Sequence, residues 1–213
     1  MEKINPVVGP SSRSQFVDRA GPLLRFALPA IVSTLLFSLL LLHVIAPADA
    51  QQTHPAEAQV KAAYLYNFGK FVTWPEGSAT KSAHTFGICV LGKDPFGATL
   101  DSTVAGESLN GKKITVSRPA KIQDASDCNV LFISASEEGR LLPILAAAQR
   151  FGALTVSDMP HFAERGGTIG FVTSQGRIRF EVNLRAAEQS HLTLGSELLK
   201  VASSVIDKPA GQP

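Results

Sequence analysis

The sequence predicts a three-layer α/β domain, a mainly parallel sheet with helices on both faces and a C-terminal antiparallel hairpin. Three observations predict it. The short apolar runs Phe86–Leu91, Cys128–Ser134 and Leu154–Ser157 read as strands buried on both faces. Segments with apolar residues three and four apart stand between such runs and read as covering helices, the alternation a parallel sheet requires. Late in the chain that rhythm gives way to two strand-like segments flanking Ser174-Gln175-Gly176, where glycine permits the positive φ of a hairpin turn.

The elements follow in order. Gln51–Pro55 reads as a short polar linker. From Ala56 to Trp74, Val60, Ala63 or Tyr64, Asn67 or Phe68, Phe71 and Trp74 recur at intervals of three and four on one helical face, and Pro75 ends the helix. Its aromatics are expected to pack on the sheet. The strand Phe86–Leu91 leads through an Asp94-Pro95 turn to a short helix, Phe96–Val104, and Ile114–Ser117 is a second strand. Cys128–Ser134 is the clearest strand, with a helix from Glu137 to Phe151 behind it. Leu154–Ser157 is another strand and Met159–Arg165 a helical turn. The hairpin pairs Thr168–Thr173 with Arg177–Leu184. Helices are expected at Asn183–Ser190 and Ser196–Ile206, the second with Leu198, Leu199, Ala202 and Val205 on one face. Asp207–Pro213 is a polar tail. No internal repeat and no second domain is visible, so the working domain is expected over residues 56–206.

Residues 1–50 have a different character. Arg13, Arg19 and Arg25 precede an apolar run from Phe26 to Ile45, which ends at Pro47 and Ala48-Asp49-Ala50. Basic segment, apolar segment and small-residue site, in that order, make a secretory signal peptide cleaved after Ala50. The alternative is an uncleaved N-terminal anchor, since an apolar run of about 20 residues spans a bilayer. Either way the domain is exported. In an oxidising compartment the two cysteines, Cys89 and Cys128, are first a disulfide candidate, and two buried free thiols are the alternative.

Composition narrows the function. The 213 residues are 45% hydrophobic and 18% charged, with a net charge of +2, and no basic stripe points to nucleic acid. There is no G-x-S-x-G, H-E-x-x-H or C-x-x-C. His54, His84, His161 and His191 are scattered singly, so no metal site and no cofactor is expected. Gly106-Glu107-Ser108-Leu109-Asn110-Gly111-Lys112-Lys113 nearly matches a phosphate loop, but Lys113 stands where Ser or Thr must hold magnesium. It also leads from helix to strand, the reverse of a phosphate loop, and its glycines read as a turn. Glu137 and Glu138 open a helix, where their charge is favoured without any catalytic role. No catalytic residue is assigned.

The stretch from Val60 to Pro75, VKAAYLYNFGKFVTWP, resembles the opening signature of the YfiR family. Phe86–Gly92, Cys128–Ser134, Gly170-Phe171 and Arg177–Leu184 agree with it in order, so the resemblance extends from about Glu57 to Ile206. It implies a periplasmic repressor that binds the periplasmic sensor region of an inner-membrane diguanylate cyclase, lowering cyclic di-GMP. An outer-membrane lipoprotein that sequesters the repressor is a second partner implied by it. A homodimer is left open. The relation of Cys89 to Cys128 resembles one family disulfide; a second family Cys pair is missing, with Ala163 and Gly170 near its place.

Strand alternation sends Ile178, Phe180, Val182 and Leu184 to one face of the hairpin and Arg177, Arg179, Glu181 and Asn183 to the other. That charged face is either a partner surface or a solvated face with cross-strand charge pairs. By resemblance, the hairpin and following helix, including Glu181, Leu184, Leu194 and Leu199, meet the partner; Leu194 and Leu199 are otherwise ordinary core. A competing reading is a small-molecule-binding domain using the carboxyl-end crevice of the sheet near Gly92–Pro95 and Ser134–Ser136. An exported hydrolase built on Ser134 or Ser136 has no His and acid partner in view.

Overall fold

The computed structural model describes residues 53–75 and 84–207. The expected signal segment, the first two residues of the linker and the tail beyond Asp207 lie outside the described residues.

Among the described residues, eight strands form one sheet in the order β10-β8-β7-β6-β5-β2-β4-β3. These are β2 (Thr85–Leu91), β3 (Ser108–Leu109), β4 (Lys112–Ser117), β5 (Cys128–Ile133), β6 (Leu154–Ser157), β7 (Ile169–Ser174), β8 (Arg177–Asn183) and β10 (Ser204–Ile206). From β4 through β7 all neighbours are parallel; β8 runs antiparallel to β7, and β10 is parallel to β8. A separate two-stranded ribbon joins β1 (Val72–Thr73) to β9 (Thr193–Leu194). The helices are α1 (Thr53–Phe68), α2 (Ala98–Val104), α3 (Leu141–Phe151), α4 (Leu184–Gln189) and α5 (Ser196–Val201).

Alternation along the strands divides the interior into two cores. On one face Ile88, Val90, Val130, Phe132 and Val156 pack with Leu65 and Phe68 of α1, Leu100 of α2 and Leu198 of α5. On the other, Leu91, Leu131 and Ile133 pack with Leu141, Ile144 and Ala148 of α3 and with Met159 and Phe162. Both faces are covered, which is why β5 could be apolar at nearly every position. The aromatics of α1 close the first core: Phe68 and Tyr64 lie 5.1 and 5.5 Å from the Phe180 ring, centre to centre, in edge-to-face contacts. Phe68→Ala would cost about 3–5 kcal/mol through lost burial and the cavity left behind.

Several boundaries differ from expectation, each for a tertiary reason. α1 begins inside the supposed linker, at Thr53, and stops at Phe68 instead of Trp74. The N–H groups of Lys70 and Phe71 bond the carbonyls of Asn67 and Phe68, and Val72 then extends to pair with Leu194. Trp74 leaves the helix altogether, stacking edge-on to Phe86 and donating its indole N–H to the Gly152 carbonyl at 3.1 Å. The expected helix Ser196–Ile206 breaks after Val201, and Ser204–Ile206 pairs with β8, so the hairpin is not the sheet edge. Ahead of α3, Ala135–Arg140 is a 3-10 turn. The glycines of the near phosphate loop do form a turn, at Asn110-Gly111, linking β3 to β4. At the hairpin tip Gln175 and Gly176 have φ of 52° and 69°, the pair of positive values that matches strand twist.

Cys89 and Cys128 are joined by a disulfide with Cα atoms 5.8 Å apart, within the range that bridging allows. A bulge makes this geometry. Cys128 stands opposite Gly87, yet Val130 stands opposite Ile88, so Asn129 is an extra residue in β5. Strict alternation back from Leu131 would put Asn129, not Cys128, in the second core. The bulge turns Cys128 to the face that holds Cys89.

Candidate functional site

The charged side of the hairpin comes from β8. Arg177 and Arg179 are exposed and Glu181 is half-buried. Their direct partners across the ladder are Ser174, Val172 and Gly170, none of them charged, so directly opposed charge pairs do not account for this face. Asn183, expected on the same outward face, is buried. Its Oδ1 accepts the N–H of Ala186 and so caps α4, while Nδ2 donates to the Ala163 carbonyl at 2.7 Å.

Leu184, Leu194 and Leu199 lie on α4, β9 and α5. All three are half-buried and pack against the first core. The exposed large apolar residues are different ones: Val60, Phe71, Leu142, Val201 and Val205. Ala163 and Gly170, near the place where the resemblance implies a second cysteine pair, are neighbours: a Cβ on Gly170 would lie 3.7 Å from that of Ala163. The Asn183–Ala163 hydrogen bond ties the Ala163 segment to the end of β8 as well.

A cleft of about 500 Å³ opens beside this hairpin, between the start of α1 and the Asp158–Glu164 connection. Lys61, only 7% exposed, sits in its wall. Its ammonium donates to Asp158 at 2.8 Å and pairs with Glu57 at 2.6 Å, one turn earlier in α1. Burial alone would lower the Lys61 pKa, but the hydrogen bonds to Asp158 and Glu57 outweigh it, so the net displacement is upward and the charge is held. Glu164 and Glu181 line the same cleft, with Glu164 Oε2 3.2 Å from His161 Nδ1. Sequence reading missed the cleft, because Lys61 and Asp158 are 97 positions apart and neither carries a motif.

The carboxyl-end crevice between β2 and β5 is filled. Ser136 Oγ accepts the N–H of Lys93, Ser134 N–H donates to the Leu91 carbonyl, and Glu137 is buried while bonded to Arg140. A Cβ on Gly92 would lie 2.5 Å from Ser136 Oγ. Alongside it, Arg118 at the end of β4 clamps the β2–α2 loop. Its guanidinium forks onto both oxygens of Asp101, at 2.6 and 3.2 Å, and also bonds Asp94 and the Gly97 carbonyl. The hydrogen bond from Arg118 holds the Asp101 carboxyl below the usual aspartate range. A second cleft of about 450 Å³ lies at Gln59, Thr99, Ser102 and Thr103 and does not reach this crevice. Among the described residues no group of His, Cys, Asp or Glu is arranged to hold a metal, and no helix is long and apolar enough to cross a membrane.

A bridged three-layer α/β domain with a charged hairpin at one side defines the class. The chain belongs to the YfiR/HmsC-like family, whose model matches residues 58–203, nearly the whole described domain. That family is one of regulatory proteins. No curated protein sequence matches the chain significantly. Among solved structures it is similar to a conserved domain protein from Vibrio cholerae, at 15% identity and a TM-score of 0.43, over 56% of this chain and 54% of that one. It is also similar to an ABC domain in complex with L-Trp from Streptococcus pneumonia, at 11% identity and a TM-score of 0.47, over 68% of this chain and 60% of that one. The chain thus spans between half and two thirds of each.

Proposed function

We propose that this protein is a periplasmic repressor that holds an inner-membrane diguanylate cyclase inactive by binding its periplasmic sensor region. The family match over residues 58–203 is the observation that carries the reading. Residues 1–50 act as the export signal, and residues 56–206 are the working domain. The Cys89–Cys128 bridge fits an oxidising compartment. The contact surface is the hairpin face with Arg177, Arg179 and Glu181, continued by the elements that carry Leu184, Leu194 and Leu199. The protein works by contact and transforms no substrate. Cyclic di-GMP is made on the cytoplasmic side and never meets it. An outer-membrane lipoprotein that takes up the repressor would release the cyclase.

Deleting the gene in a strain that expresses the cyclase is expected to raise cyclic di-GMP and matrix production, and a plasmid copy to restore them. Unchanged cyclic di-GMP on deletion would overturn the reading.

A further inference from the structure

The sheet has a notch beside the hairpin. β7 pairs with all of β8, from Ile169↔Val182 to Ser174↔Arg177, but with β6 only at Ile169 and Gly170. From Phe171 to Ser174, about 13 Å of strand at the usual rise, β7 has no strand on its other side. Alternate residues of a strand turn their N–H and C=O groups away from a given neighbour, so this stretch offers a pairing edge.

The notch is open space and not filled core, because the cleft described above runs along it. Phe171, Val172 and Thr173 form one wall. β6 ends at Ser157, and the carboxylate of the next residue, Asp158, is bonded to Lys61 of α1.

The charge of the notch has a pattern. On the α1 side Glu57 and Asp158 face the single ammonium of Lys61; on the opposite side Glu164 and Glu181 stand with no lysine or arginine among the cleft residues. Within the cleft wall carboxylates thus outnumber ammonium groups four to one, while Arg179 shares the outward strand face of Glu181 just outside it. Successive side chains of a strand point to opposite faces. A strand placed in the notch with two adjacent cationic residues would direct one to each side.

We propose that this notch accepts an extended, dibasic segment of a partner protein as an added strand beside β7. Backbone pairing supplies affinity and the two cations supply register, the division of labour in strand addition. The proposal rests on the reading of the hairpin as the partner face, and it specifies the chemistry of what the partner presents there.

The probe is a short capped peptide, Thr-Val-Lys-Arg-Val-Thr, added to the purified full chain. Binding is expected to slow hydrogen exchange at the Phe171 and Thr173 amides, the two that the register with β8 turns towards the notch. N-methylation of alternate peptide nitrogens is expected to weaken binding at least tenfold, which needs no change in the protein. Glu164→Gln with Glu181→Gln, at the cleft surface, is expected to weaken it by about tenfold at low salt. Equal affinity of the methylated peptide, or protection confined to other amides, would overturn the proposal. So would protection of Phe171 and Thr173 by raising the chain's own concentration without peptide, since a second copy would then be the occupant. In cells, wild-type cyclic di-GMP in the double Gln variant, where deletion raises it, removes the notch and leaves the repressor standing. Unchanged cyclic di-GMP on deletion removes the repressor, and the exchange measurement still decides the notch.

Discussion

The side-chain oxygen of Asn129 accepts the backbone N–H of Gly87 at 3.0 Å, one strand away. It does so where the bulge interrupts the β2–β5 ladder, so a side chain replaces the missing main-chain acceptor. Gly87 is required at the same point: a Cβ there would lie 2.9 Å from the Asp127 carbonyl oxygen.

Asn129→Ala is therefore expected to leave the Gly87 N–H unpaired in a buried ladder, at a cost of about 1–3 kcal/mol. Asn129→Asp keeps an acceptor and is expected to cost less. Urea unfolding with equal slopes for wild type and both variants measures the difference, and an Ala variant as stable as wild type would refute the account.

The disulfide closes a loop across 39 positions, and on the chain-entropy model its loss costs about 4 kcal/mol. The variant with Cys89→Ser and Cys128→Ser is expected to unfold at correspondingly lower denaturant. Both cysteines are 2% exposed. Reductant is thus expected to leave the bridge intact in native buffer and cleave it in denaturant, as counted by alkylation and mass. Rapid reduction of the folded protein would show that the bridge is reachable.

Arg118 gives the fold an acid-sensitive element. The Asp101 pKa is lowered in the folded state by its hydrogen bond from Arg118, so the contribution is present above the ordinary aspartate value and lost as pH falls through the lowered one. Arg118→Ala is expected to be less stable at neutral pH, with the gap to wild type narrowing below about pH 4. Asp101 is half exposed at its side chain, so the gap is modest. Parallel stability curves down to the acid limit would exclude the linkage.

The hairpin arginines test the proposed contact surface. Arg177→Glu with Arg179→Glu changes exposed positions and is expected to move stability by no more than about 0.5 kcal/mol per site. In cells the same variant is expected to lose repression and raise cyclic di-GMP towards the deletion level. A folded, exported variant that still represses would move the contact surface elsewhere.

Much of this fold was legible because the buried strands announce themselves. Val130-Leu131-Phe132-Ile133 can be apolar throughout only if both faces are covered, and the hairpin carries its turn glycine. The misread segments are those where a distant partner decides. Leu198, Leu199, Ala202 and Val205 satisfy a helical period, yet β8 takes Ser204–Ile206 as a strand. Phe71 and Trp74 continue the period of α1, but β9 and the Gly152 carbonyl draw them away. The hairpin arginines could be read from alternation alone. The cleft could not: its carboxylates come from α1, the β6–β7 connection and β8, and it depends on where β6 stops.

The stacking of Tyr64 and Phe68 on Phe171 and Phe180 has a consequence for biogenesis. Synthesis runs from the amino end, so the first helix emerges long before the rings that cover its aromatic stripe exist. Until the last third of the polypeptide is available, that stripe is sticky and unshielded. Over that interval the molecule's own tertiary contacts cannot cover the stripe, and its exposed rings favour association with other chains.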